Sequence, residues 1–177
     1  MMARVRRGSA PTTADPAERA REIALRILGG APRSAAQLRD ALIARDVSPA
    51  IADEILSRYR QVGLVDDDML AAMIARSRVR ERAQAPRAIA HELRRKGFEP
   101  RVVEAALAQI PDDDVYDRAA ELALRVWQRS GGLSQEARAR RIVGMLARRG
   151  HSPSTAFALV RRLEGADTLE SVGAGNE

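Results

Sequence analysis

Apolar residues recur at intervals of three and four along most of this chain, the spacing that lines one face of an α-helix. Ala20, Ile23, Ala24, Ile27 and Leu28 make the first such run, and Gly29-Gly30-Ala31-Pro32 stops it. A second helix, capped by Ser34, aligns Leu38, Leu42 and Ile43, and a third from Pro49 aligns Ile51, Ile55, Leu56, Tyr59 and Val62. Gly63-Leu64-Val65-Asp66-Asp67-Asp68 closes this group and opens the next. There Met69, Leu70, Met73, Ile74 and Ser77 gather on one side of a wheel turned ~100° per residue, so this side is expected to pack inward. Arg76 and Arg80 flank the stripe on one edge and Arg78 and Arg82 on the other, so at most two of the four line any single groove. Ile89 and Leu93 then take the places of Leu38 and Leu42, and Val102, Val103, Ala106, Leu107 and Ile110 repeat the third-helix face. The last group runs from Pro111-Asp112-Asp113-Asp114 through a long helix to about Arg129, a break at Gly131-Gly132, and a helix from Ser134. A closing helix aligns Thr155, Ala156, Leu159, Val160 and Leu163.

The same turn joins the second and third helices of each group. Leu42 to Leu56, Leu93 to Leu107 and Leu146 to Val160 are successive copies spaced 51 and 53 residues apart. Gly97 and Gly150 suit the left-handed residue that ends a helix, with Asp46 a poorer substitute. Ser48, Glu99 and Ser152 follow as N-caps, Glu99 the weakest, and Pro49, Pro100 and Pro153 occupy the first helical position, where a missing N–H has no partner to lose. Val47, Phe98 and His151 stand where an apolar side chain staples back onto the new helix, a role histidine fits least well. The chain therefore reads as all-α: a basic disordered tail over 1–16, three-helix repeats over 17–63, 64–110 and 111–164, and an acidic, Gly-rich disordered tail over 165–177.

Composition narrows the partners. Thirty basic against twenty-four acidic residues give a net charge of +6, which favours an anionic partner, nucleic acid first. Lys96 is the only lysine, so the excess of arginine also reflects base composition. Between Arg76 and Arg101 nine basic residues face Glu81, Glu92 and Glu99, a local +6. Aromatics amount to 3% of the chain, so nucleic-acid contact, expected at most as a weak direct one, would be to the backbone and only weakly sequence-dependent. Cysteine is absent, which removes disulfides, thiolate nucleophiles and cysteine-ligated metal. The N-terminus lacks the apolar stretch of a secretory signal, and no run approaches the ~18 apolar residues of a membrane helix, so a soluble cytoplasmic protein is expected.

No catalytic pattern emerges. The Asp triplets sit where helices begin and read as caps, with no glutamate at the twelfth position of a calcium loop. In His91-Glu92 the second histidine of a zinc helix is replaced by Arg95, so a solvated histidine is expected. Lys96 lies in no phosphate loop, and no nucleophile elbow is present. Trp127, beside Leu122, Leu124 and Val126, is expected to pack. No enzyme activity, cofactor or metal is therefore expected.

Taken in order, Ser34-Ala35-Ala36-Gln37-Leu38-Arg39, Gly63-Leu64-Val65-Asp66-Asp67 running on to Arg76-Ser77-Arg78, Pro86-Arg87-Ala88-Ile89 and Leu93-Arg94-Arg95-Lys96-Gly97 resemble the RecX family of bacterial recombination regulators, over roughly Ala20 to Leu163. One departure is the helix after Asp67, where the family usually carries aromatics and this chain has Leu70 and Met73, conservative core changes. The resemblance implies an elongated crescent of three tandem three-helix repeats. It also implies a non-enzymatic regulator, monomeric, that binds RecA and its filament on single-stranded DNA. Such a regulator suppresses ATPase, strand exchange and filament growth, and so modulates recombination, DNA repair and the SOS response. On that view Arg76, Arg78, Arg80, Arg82, Arg87, Arg94, Arg95, Lys96, Arg138, Arg141, Arg148 and Arg149 face DNA phosphate or an acidic RecA surface. Since Ile43, Ala44 and Arg45 replace Arg94, Arg95 and Lys96 in the first copy, the first repeat is expected only to orient the others. A second reading is an independent, sequence-nonspecific DNA-binding module, and a third a generic helical scaffold.

Overall fold

The three repeated turns fold alike because each supplies a left-handed residue, an apolar or buried anchor and a helix start in the same order. The computed structural model describes residues 15–173, and Asp46, Gly97 and Gly150 adopt φ of 63°, 81° and 85°. The next N–H in each case returns to the carbonyl five residues back: Val47 to Leu42, Phe98 to Leu93 and His151 to Leu146, at 3.2, 3.2 and 3.1 Å. These are the bonds that close a helix whose last carbonyls would otherwise lack donors. Ser48 and Ser152 then accept from the backbone N–H of Ile51 and Thr155, whereas Glu99 makes no such bond. Val47, Phe98 and His151 are all buried.

Among the described residues the chain is helical throughout: α1 Pro16–Gly30, α2 Ala35–Ile43, α3 Pro49–Gln61, α4 Asp67–Arg82, α5 Pro86–Arg95, α6 Pro100–Ala108, α7 Asp112–Arg129, α8 Gln135–Arg148 and α9 Pro153–Gly173. They form three aliphatic cores, one per three-helix repeat. The first gathers Ala24, Leu38, Leu42, Ile55, Leu56 and Tyr59; the second Ala71, Ala75, Ile89, Leu93, Phe98 and Val103; the third Trp127, Ile142, Leu146 and Leu159. The first repeat is one compact unit ending at Val65, and the second and third together are another, beginning at Asp66. Val115 at the start of α7 is buried in the second core, which ties the third repeat to the second.

Two sequence expectations change. In α4 the buried residues are Leu70, Ala71, Ala72, Ala75 and Val79, while Met69 and Met73 are 64% and 49% exposed. Helix α4 packs against α5, α6 and α7, and alanines let those backbones approach closely. A helix enclosed on several sides has no single apolar stripe, so side-chain hydrophobicity points to the wrong face. Met73 is therefore no core replacement for an aromatic. The second change is at the C-terminus. The expected tail after Gly165 is helical as far as Gly173, continuing α9, and Asp167 on it bonds to side chains of α7 and α8. Residues 174–177, and 1–14 of the expected basic tail, lie outside the described residues.

The two acidic starts differ: that of α4 caps through a side-chain bond, and that of α7 does not. Asp66 accepts from the N–H of Met69 at 2.8 Å, and Asp112, Asp113 and Asp114 occupy the first turn of α7, at the positive end of its dipole. No helix among the described residues is long and apolar enough to cross a membrane.

Candidate functional site

The cationic residues are organised by a seam between the second and third repeats. Ala83 ends α4 in the left-handed conformation, with φ of 49°. A non-glycine residue there costs about 1–2 kcal/mol, so the surroundings must fix it. The turn of the third repeat does so. His151 Nε2 lies 2.7 Å from the Ala83 carbonyl, Arg149 donates through Nε to the Arg82 carbonyl at 2.9 Å, and Ala85 N–H donates to the Arg149 carbonyl at 2.9 Å. Gly150 lies so close to α5 that a Cβ there would stand 2.8 Å from the Ala88 Cβ and 3.0 Å from its backbone nitrogen. Histidine, the least apt of the three staples by polarity, is thus the one with a carbonyl to engage.

A groove runs along this seam, with Arg82 at the end of α4, Arg87, Arg94 and Arg95 on α5 and Arg148 on α8 lining it. All five are exposed. Glu92 also lines the groove, but its charge is spent internally. Arg78 donates to it twice, Nη2 to Oε1 at 2.6 Å and Nε to Oε2 at 2.8 Å, with side chains only 19% and 15% exposed. That bidentate bond holds the Glu92 carboxyl below its usual value, outweighing burial, and raises the already basic Arg78. What faces solvent is a cluster of five arginines whose one carboxylate is already matched. Such a surface can bind phosphates or carboxylates. Among the described residues no cluster of three or more His, Asp or Glu is placed to hold a metal ion.

The twelve expected binding residues thus divide. Arg82, Arg87, Arg94, Arg95 and Arg148 converge in the groove. Arg76 and Arg80 line a separate cleft with Gln109, Asp114 and Arg118. Arg141 is exposed on α8, and Lys96 is half-buried at the C-cap of α5. Arg78 and Arg149 are committed to internal bonds, and so is Arg138. Its guanidinium sits 3.9 Å over the Trp127 ring, donates to Asp167 at 2.8 Å and to the Trp127 carbonyl at 3.1 Å. The Trp127 indole N–H also donates to Asp167 at 3.0 Å, so this trio fastens α9 to α7 and α8. Charge counted along the chain does not distinguish arginines that are already paired. A second cationic groove, on the first repeat, involves Arg19, Arg26 and Arg33, none of them among the expected residues.

Models of the first, second and third three-helix domains of RecX match residues 20–58, 66–107 and 112–160. The chain belongs to the RecX family. The regulatory protein RecX of Streptomyces lividans is 40% identical over 168 residues, 93% of this chain and 88% of that protein. The regulatory protein RecX of Thermobifida fusca is 39% identical over 163 residues, covering 92% and 88%. A crystal structure of RecX from Lactobacillus salivarius superposes with a TM-score of 0.75 at 22% identity, over 85% of this chain and 98% of that one. A second crystal structure of a regulatory protein RecX gives 0.73 at 25% identity, over 83% and 74%. The expected tandem three-helix RecX repeats are therefore present, and the relatives are named as regulators.

Proposed function

We propose that this chain regulates RecA without catalysing a reaction of its own, binding the RecA filament on single-stranded DNA and slowing ATP hydrolysis, strand exchange and filament growth. Membership of a family of regulatory proteins supports this reading. The observation that carries the site is the seam groove, where Arg82, Arg87, Arg94, Arg95 and Arg148 converge while Glu92 is neutralised by Arg78. An array of repeats offers an extended surface to a polymer, and regulation by occupancy needs no reactive group. The test is RecA-dependent ATP hydrolysis on single-stranded DNA. At stoichiometric dose the wild-type chain slows it, and Arg94→Glu with Arg95→Glu, both exposed and outside every core, relieves the inhibition without loss of helix content. Unchanged hydrolysis with the wild-type chain refutes the proposal.

The five-arginine groove also favours direct, sequence-nonspecific DNA binding. That reading predicts binding to oligo(dT) without RecA, weakening with salt at about 0.7 logarithmic units per phosphate neutralised on a single strand. Removing Arg94 and Arg95 would flatten the slope by ~1.4. If bare DNA is ignored while RecA hydrolysis is still inhibited, this second reading fails.

A further inference from the structure

The first repeat carries a groove whose lining differs in chemistry from that of the seam groove. Arg19, Ile23, Arg26 and Ile27 fall at i, i+4, i+7 and i+8 of α1, one face of a helix, and they line the groove together with Arg33 before α2 and Arg45 after it. The isoleucines are half-buried and rest on the first core, so the floor is aliphatic. The guanidinium groups of Arg19, Arg26 and Arg33 are exposed, and none bonds to a carboxylate among the described residues. Arg45 donates one N–H to the Ala41 carbonyl at 2.8 Å, which leaves its other donors available.

The lining discriminates between polyanions. A nucleic-acid strand can meet the arginines with its phosphates but has no aliphatic side chain to cover Ile23 and Ile27. Aliphatic floor and arginine rim instead complement an amphipathic helix. Arg19 and Arg26 are two turns apart, about 10.5 Å along the axis, the rise between residues i and i+7 of any helix laid alongside. A partner with carboxylates seven residues apart can engage both while two aliphatic residues between them cover Ile23 and Ile27.

We propose that the α1–α2 groove of the first repeat docks an amphipathic helix of a protein partner, with acidic residues two turns apart bracketing two aliphatic ones. The first repeat then recruits as well as orients.

The experiment uses the full chain and three fluorescein-labelled probes: an 18-residue helical peptide with Glu at seven-residue spacing around a Leu-Leu pair, the same peptide with Lys for Glu, and an oligo(dT) 18-mer. Fluorescence anisotropy is expected to show binding of the acidic peptide only weakly competed by oligo(dT). Arg19→Glu with Arg26→Glu lowers that affinity at least tenfold and creates binding of the lysine peptide. The charge-swapped gain cannot arise from misfolding, so it keeps the result interpretable. An acidic peptide that does not bind, or binds the variant equally well, overturns the proposal. A loss confined to oligo(dT) also overturns it and assigns the groove to phosphodiesters.

Discussion

Gly150→Ala tests whether the seam depends on close backbone approach. The added methyl meets two separate costs. At φ of 85° a residue with a Cβ is strained by about 1–2 kcal/mol, less the ~0.4–1 kcal/mol gained because alanine restricts the unfolded chain. The methyl would also stand 2.8 Å from the Ala88 Cβ and 3.0 Å from the Ala88 nitrogen, and overpacking against a fixed backbone costs about 1–3 kcal/mol. Together these make a destabilisation of about 1–4.5 kcal/mol, a fall in Tm of roughly 2–18 °C for a chain of this size. Gly63→Ala is the control, since Gly63 has φ of 73° and a methyl added there would meet nothing within 4 Å, leaving the backbone strain alone at about 1 kcal/mol. Urea unfolding followed by far-ultraviolet circular dichroism compares the two, with Trp127 fluorescence reporting the third repeat. Equal losses for the two substitutions would show that the turn does not press on α5, and would refute the account of the seam.

Two further substitutions probe the paired arginines. Glu92→Gln should cost about 1–3 kcal/mol, because Arg78 keeps a half-buried charge without its carboxylate. The sign with pH follows from the lowered Glu92 pKa. The pair stabilises fully above the unfolded glutamate value and loses that contribution as pH falls through the lower folded value, so the gap between wild type and Glu92→Gln should close in acid; a gap that widens there is inconsistent with the pairing. Asp167→Ala removes the acceptor of both Trp127 and Arg138 and should cost about 1–3 kcal/mol with a red-shifted Trp127 emission, Asp167→Asn costing less. An unchanged emission spectrum would mean that the end of α9 is not fastened there.

Turns were legible in the sequence because their chemistry is local. Asp46, Gly97 and Gly150 need only their own backbone angles, and Ser48 and Ser152 only a donor three residues on. The face of α4 was not, because burial there depends on which helices surround it, and Ala71 and Ala75 bury deeply without being strongly hydrophobic. The candidate site was half legible. Arg94 and Arg95 stand out as a basic pair, but the Arg78–Glu92 bond spans 14 residues and two helices, and nothing local marks Arg78 as spent. Arg138 is hidden in the same way by Asp167, 29 residues away in a stretch whose composition suggests disorder. The first-repeat groove was not legible because its arginines are dispersed; the available signal was the seven-residue spacing of Arg19 and Arg26 around Ile23.

The seam also gives the repeats a direction. On the second repeat its receiving groups are main-chain carbonyls, those of Arg82 and Ala83, whereas the third repeat reaches them with the side chains of Arg149 and His151. A carbonyl is present whatever residue carries it, so these two acceptors survive sequence drift, whereas the side chains that reach them do not. Joining such units in a new order is therefore not symmetrical. A chimera that transplants the third repeat with its Arg-Gly-His turn intact brings most of its own adhesive, while one that transplants the second brings mainly a socket.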